Sequence, residues 1–249
     1  MSFKGDIFLI TLAGIIGSGK SSLTELLSKE LGSKAFFEPV SDNPVLPLFY
    51  KGNELAAKKR QAGQADATNP YAYLLQTFFL NRRFKMVKEA LASHNAILDR
   101  SIYEDAMFMK MNTDMGNATD IEYEIYQELL DNMLTELTQI NQDTTSDLTV
   151  FIKVSYETML KRIEKRGREY EQISSDPSLV DYYQRLLKYY DQWEKNYQAS
   201  PLLVINGDQY DFVENETDRN FVLDLIESKL VELGQLSQDE FLQLQQKRA

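Results

Sequence analysis

The chain has no cysteine in 249 residues and a single histidine, His94. The first absence excludes disulfides, thiolate catalysis and cysteine metal sites, and it suits a reducing compartment. The second argues against a histidine-based triad or zinc site. His94, in Ala92-Ser93-His94-Asn95, reads as a surface residue in a helix-to-strand connection. Positive charge is also scarce, with 27 Lys and Arg against 38 Asp and Glu and a net charge of −11; the pI is near 4.7. Nucleic acids and anionic membranes both need net positive faces, so neither is expected as a partner. A small anionic ligand needs only a local concentration of cations. No apolar run approaches membrane-span length, and the run after Met1-Ser2-Phe3-Lys4-Gly5-Asp6 is too short for a secretory signal. A soluble, cytoplasmic protein is the expectation.

Against these absences, one stretch stands out. Gly14-Ile15-Ile16-Gly17-Ser18-Gly19-Lys20-Ser21 fits G-x-x-x-x-G-K-S/T, the loop that cradles nucleotide phosphates. Ile7 to Ala13 reads as the buried strand before it, and Ser22-Leu23-Thr24-Glu25-Leu26-Leu27 opens the helix after it. Glycines let backbone amides turn towards phosphate, and the helix start adds a positive partial charge. Lys20 is placed to reach the β- and γ-phosphates, and the Ser21 hydroxyl to bind Mg²⁺. Gly14 to Ser22, with Arg162 from a later cluster, is the expected ATP-binding set.

Four more apolar runs read as strands: Lys34 to Phe37, Ala96 to Leu98, Leu148 to Val154 and Leu202 to Ile205. Helical spacing covers roughly 20–31, 71–93, 103–111, 120–141, 156–166, 179–198 and 220–233. This alternation predicts an α/β fold of the P-loop NTPase type: a parallel five-stranded sheet, helices on both faces, and an arginine-rich lid. Residues 1–233 read as a single domain. Gly52 to Asn69 is polar and poorly amphipathic, either a mobile insertion or a solvated helix-loop. The glutamine-rich tail 234–249 either frays or forms a partner-facing helix.

In open parallel sheets, ligands bind beyond the carboxyl ends of the strands. Glu38-Pro39-Val40 follows the second strand and Asp99-Arg100-Ser101 the third. Glu38 suits acceptance of a proton from an attacking hydroxyl. Asp99 suits support of Mg²⁺ beside Ser21. Arg100 suits either holding Glu38 or steadying phosphate charge in the transition state. The run Lys161 to Glu171 puts Arg162 and Arg166 on one helix face, with Arg168 just past Gly167. It reads either as a basic helix end stopped by glycine or as a lid that closes over phosphates.

In this order the blocks resemble those of deoxyribonucleoside kinases, most closely the bacterial deoxyadenosine/deoxyguanosine kinases. The likeness extends to Asp42-Asn43-Pro44-Val45-Leu46-Pro47-Leu48-Phe49-Tyr50, Leu75-Gln76, Asp99 to Asp105, and Lys165 to Glu171. The resemblance implies that Glu38 is the general base for a deoxyribonucleoside 5′-hydroxyl, with Arg100 its companion. Arg166 and Arg168 then act on the transferring phosphoryl group. Tyr50 and Glu171 bind the sugar 3′-hydroxyl, Gln76 the base edge, and Arg83 with Asp105 forms a purine-tolerant pair. It also implies ATP and Mg²⁺ as cofactors, a homodimer through a helical face, and deoxyadenosine as the first-choice acceptor. Two other readings compete: a thymidylate-kinase-like enzyme with a monophosphate acceptor, and a nucleotide-binding scaffold without turnover. A switch GTPase lacks its Asn-Lys-x-Asp segment.

Overall fold

A computed structural model describes residues 8–38, 43–65, 67–93, 95–140 and 146–248. Pro39, Val40, Asp42 and His94 lie outside them. Five strands form one sheet: β1 (Leu9–Gly14), β2 (Lys34–Phe36), β3 (Ala96–Asp99), β4 (Leu148–Lys153) and β5 (Leu202–Asn206). Their order is β2-β3-β1-β4-β5, and every pairing is parallel. All six residues of β1 and all four of β3 are buried. Successive strand side chains point to opposite faces, so both faces of the sheet are covered at its centre. Ile10 and Leu12 are fully buried there, where truncation to alanine costs about 2–5 kcal/mol.

The helices are α1 (Lys20–Leu31), α2 (Leu46–Gln61), α3 (Ala72–Leu91), α4 (Asp105–Asp114), α5 (Asp120–Ile140), α6 (Tyr156–Arg166), α7 (Leu179–Asn196), α8 (Glu216–Glu232) and α9 (Gln238–Arg248). Among the described residues no helix is long and apolar enough to cross a membrane. The chain leaves β1 for β2 and β3 on one side, then passes back across β1 to β4. A crevice therefore opens at the carboxyl end of β1. The β1–β3 register sets Leu12 opposite Asp99, which brings the phosphate loop beside Arg100.

Two segments left open resolve as helical. Of the two readings of 52–69, the helix-loop is the one found among the described residues: α2 runs from Leu46 through Gln61, with Gly52, Asn53 and Ala56 buried. Leu46, Phe49, Tyr50 and Ala56 seat the helix in the core, and hydrogen bonding holds the polar positions beyond Tyr50, which carry little apolar signal. Asn69 Nδ2 donates to Phe49 O at 2.9 Å and to Asn53 Oδ1 at 2.7 Å, and Tyr71 N donates to Asn69 Oδ1. The tail likewise takes its helical alternative. Helix α9 buries Leu244, and Arg248 pairs with Glu30 on α1 and with Asp224 and Glu227 on α8. Smaller shifts occur at ends. Helix α8 starts at Glu216, capped by the Asn215 side chain, and a 3-10 turn (Ile102–Glu104) precedes α4.

Candidate active site

Three strand ends build the site. Gly14 ends β1 at φ 145°, and a Cβ there would lie 2.7 Å from Ile152 O and 2.8 Å from Ser18 Oγ. Only glycine lets the loop fold this closely against β4. Helix α1 begins after Gly19 with no side-chain cap on its first amides, an arrangement that favours an anion. Lys20 is buried; its Nζ donates to Gly14 O at 2.8 Å and Ile15 O at 2.9 Å. Burial, with help from the Arg100 charge, lowers its pKa to about 8 against the pull of Asp99, Glu104 and Glu38. Ser21 Oγ donates to Asp99 Oδ2 at 2.5 Å, although burial raises the Asp99 pKa. The Ser18 hydroxyl is buried without a partner. A glycine cradle, an uncapped helix start, an ammonium group and a hydroxyl–carboxylate pair fit a triphosphate with a divalent cation.

Glu38, two residues past β2, accepts from Arg83 Nη2 at 2.9 Å through Oε1. Arg100 Nε lies 3.0 Å from the same oxygen, an ion-pair contact rather than an aligned hydrogen bond. Burial works to raise the Glu38 pKa, but Arg100 and Arg83 outweigh it and hold the carboxyl at about 2. Arg83 Nε also donates to Asp105 Oδ2 at 2.7 Å. Burial lifts the Asp105 pKa to about 6 even so. Thus Arg83 and Asp105 do meet, and through Arg83 the pair reaches Glu38 beside Arg100.

Glu104 is a residue of the site's framework that sequence reasoning missed. It is fully buried; its Oε1 accepts from Gly14 N at 3.2 Å, Arg100 Nη1 at 3.2 Å and Tyr190 OH at 2.6 Å. Its Oε2 takes the Ser101 amide, completing a capping box with the Ser101 side chain. The Ser-x-x-Glu spacing was the available signal. Tyr190 on α7, which also accepts from Arg100 Nη1 at 2.7 Å, left no such trace. These contacts hold Arg100 at φ 112°, the one non-glycine positive φ among the described residues. Such a conformation persists only where its surroundings overdetermine it.

The basic cluster divides. Arg162 donates from Nη1 to Ser18 O at 2.7 Å and from Nη2 to Gly207 O at 2.8 Å, bracing the phosphate loop. Gly167 closes α6 at φ 73°, as the helix-stop reading required. Arg166 Nη2 and Arg168 Nη1 donate to the buried Glu171 carboxylate at 2.5 and 3.3 Å. Both arginines also border two adjoining clefts, one beside Glu38 and one beside Gly19 and Ser22.

The cleft beside Glu38, about 830 Å³ including its mouth, is lined by Tyr50, Gln76, Arg83, Asp105 and Glu171 together with Glu38, Arg100, Lys20 and Ser21. Tyr50 is buried with its ring 5.2 Å from that of Tyr170, and burial raises its pKa. Gln76 and Arg83 share the buried face of α3. Phosphate loop, carboxylate and pocket therefore form one continuous site. Ile15, Ile16 and Gly17 complete the loop, and Ser22 borders the second cleft, beside Gly19 and Arg162.

A family model described as deoxynucleoside kinase matches residues 10–232. The chain belongs to the deoxynucleoside kinase family. It is 54% identical over 231 residues to the deoxyguanosine kinase of Lactobacillus acidophilus, covering 93% of this chain and 94% of that protein. It is 50% identical over 230 residues to the deoxyadenosine kinase of the same organism, covering 92% of this chain and 100% of that protein. A structure of deoxyadenosine kinase from M. mycoides with bound dATP is similar at a TM-score of 0.65 and 30% identity, covering 89% of this chain and 98% of that one. As a deoxynucleoside kinase the enzyme is ATP-dependent and its acceptor is a deoxynucleoside. The monophosphate-acceptor and scaffold alternatives give way to that membership.

Proposed function

We propose that this deoxynucleoside kinase transfers the ATP γ-phosphoryl group to the 5′-hydroxyl of a purine deoxyribonucleoside. The observation that carries the reading is the meeting of Glu38, Arg100 and the Arg83–Asp105 pair in the cleft that also contains Lys20 and Ser21. Glu38 takes the 5′-hydroxyl proton as that oxygen bonds to the γ-phosphorus. The bond to the β–γ bridging oxygen breaks and ADP leaves. Lys20, Arg166 and Arg168 steady charge on the transferring group. Ser21 and Asp99 would hold Mg²⁺, which when bound neutralises phosphate charge. Tyr50 and Glu171 orient the sugar, and Gln76 with Arg83 and Asp105 reads the base. An arginine beside a carboxyl with a pKa near 6 can face different donor–acceptor edges, which suits purines. Deoxyadenosine remains the first choice, with deoxyguanosine beside it on the strength of the relatives.

The enzyme is read as cytoplasmic and as one domain that includes α9. A homodimer is supported by Leu74 on α3 and Ile121 and Ile125 on α5, exposed large hydrophobics on two helices that pack together. The test of the reaction is one panel: Mg-ATP with each deoxynucleoside, ribonucleoside and deoxynucleoside monophosphate, compared by kcat/KM. Purine deoxynucleosides should lead. Exclusive use of monophosphates would refute the acceptor, and a pyrimidine preference would refute the base assignment.

A further inference from the structure

One guanidinium touches two functions. Arg83 is buried on α3, and its fork is divided between Asp105, at 2.7 Å from Nε, and Glu38 Oε1, at 2.9 Å from Nη2. The second contact falls on the oxygen that Arg100 already approaches at 3.0 Å. A carboxylate oxygen held between two cations is stabilised as an anion and accepts a proton poorly. General-base catalysis needs the reverse, a basicity closer to the working pH. In this arrangement Glu38 is well placed but too weak a base.

We propose that Arg83 couples recognition of the acceptor's base to activation of Glu38. When a nucleobase edge engages the Arg83–Asp105 pair, Nη2 is drawn off Glu38 Oε1, and the oxygen is freed to take the 5′-hydroxyl proton. An acceptor without a base leaves Arg83 where it is. Specificity then arises in turnover as well as in binding, because the correct base completes the catalytic arrangement. This rests on the proposed reading of Glu38 as general base and of Arg83 as a base contact.

The groups around Glu38 set the sign. Arg83 comes from α3, Arg100 from the turn after β3 and Lys20 from α1; all three favour its ionised form. Asp99 at the end of β3 and Asp105 at the start of α4 oppose it. Drawing Nη2 off Oε1 removes a direct hydrogen bond and weakens the attraction of the Arg83 charge. Its remaining partner, Asp105, keeps Arg83 in the pocket without touching the base oxygen.

The experiment follows the Glu38 carboxyl by NMR in enzyme carrying ¹³C-carboxyl glutamate, its resonance assigned by loss in Glu38→Gln. Free enzyme should show no Glu38 titration between roughly pH 8 and 3.5, given a pKa of about 2. Saturating deoxyadenosine should bring a midpoint into that window, and 1,2-dideoxyribose, which has the 5′-hydroxyl but no base, should not. The double variant Arg83→Met/Asp105→Asn, which leaves neither charge unpaired, should show the midpoint without any nucleoside. If that variant does not fold, the two wild-type additions decide alone. No midpoint with deoxyadenosine, or the same midpoint with the abasic sugar, overturns the coupling. A parallel turnover assay separates the two levels. If no deoxynucleoside is phosphorylated the underlying reading fails; if deoxyadenosine is phosphorylated while Glu38 is unmoved, only the coupling fails.

Discussion

Lys20 reaches back along its own loop, and its ammonium donates to the Gly14 carbonyl at 2.8 Å. The group is buried and its pKa is lowered to about 8, first by desolvation and then by Arg100. A triphosphate favours the charged form, so it raises this pKa on binding. The linkage sign follows directly: ATP affinity is at its full value below about pH 8 and weakens as pH rises above it.

Titration calorimetry with Mg-ATP should therefore show weaker binding at pH 9.5 than at pH 7. Lys20→Arg, which stays charged throughout, should show a nearly flat dependence. Equal affinity of the wild type at both pH values would contradict the assignment.

Tyr190 supports Arg100 and Glu104 at once. Removing its hydroxyl leaves two buried charged groups each one partner short. Tyr190→Phe should cost about 1–3 kcal/mol in urea unfolding. It should also lower kcat more than it raises nucleoside KM, because Arg100 loses part of what holds its strained backbone. Unchanged stability and kcat would show that the Glu104 contacts suffice without it.

Gly52 offers a test of α2. A methyl group there would sit 2.0 Å from Asn69 Oδ1, and the Asn69 side chain is tied by three hydrogen bonds. Alanine gains about 1 kcal/mol of helix propensity. Displacing Asn69 leaves buried polar groups unpaired at about 1–3 kcal/mol each, so the loss prevails. Gly52→Ala should be net destabilised, with a raised nucleoside KM because Tyr50 sits on the same helix. A stabilised variant with wild-type KM would mean that Asn69 moves freely.

Much of this site was legible before any coordinates. The phosphate loop, Glu38, Asp99 and Arg100 each follow an apolar strand, and parallel topology gathers strand ends on one edge. The central strands β1, β3 and β4 were legible because nearly all their residues are buried, on both faces, and read as apolar runs. The later turns of helix α2 were hidden because past Tyr50 its buried positions are Gly52, Asn53 and Ala56, which carry almost no hydrophobic signal. Glu104 looked like one carboxylate among many at a helix start. Its importance comes from Gly14, Arg100 and Tyr190 converging on it, and contacts across long sequence separations leave no local pattern. Arg248 was hidden the same way, its partners lying on α1 and α8.

The central claim is that Glu38 removes the 5′-hydroxyl proton. Glu38→Gln keeps the size and shape of the side chain while abolishing its basicity. The direct measurement is steady-state phosphorylation of deoxyadenosine by this variant under saturating Mg-ATP. The account predicts kcat lower by roughly 10²–10⁴-fold, with the nucleoside still bound. Turnover near that of the wild type would contradict it.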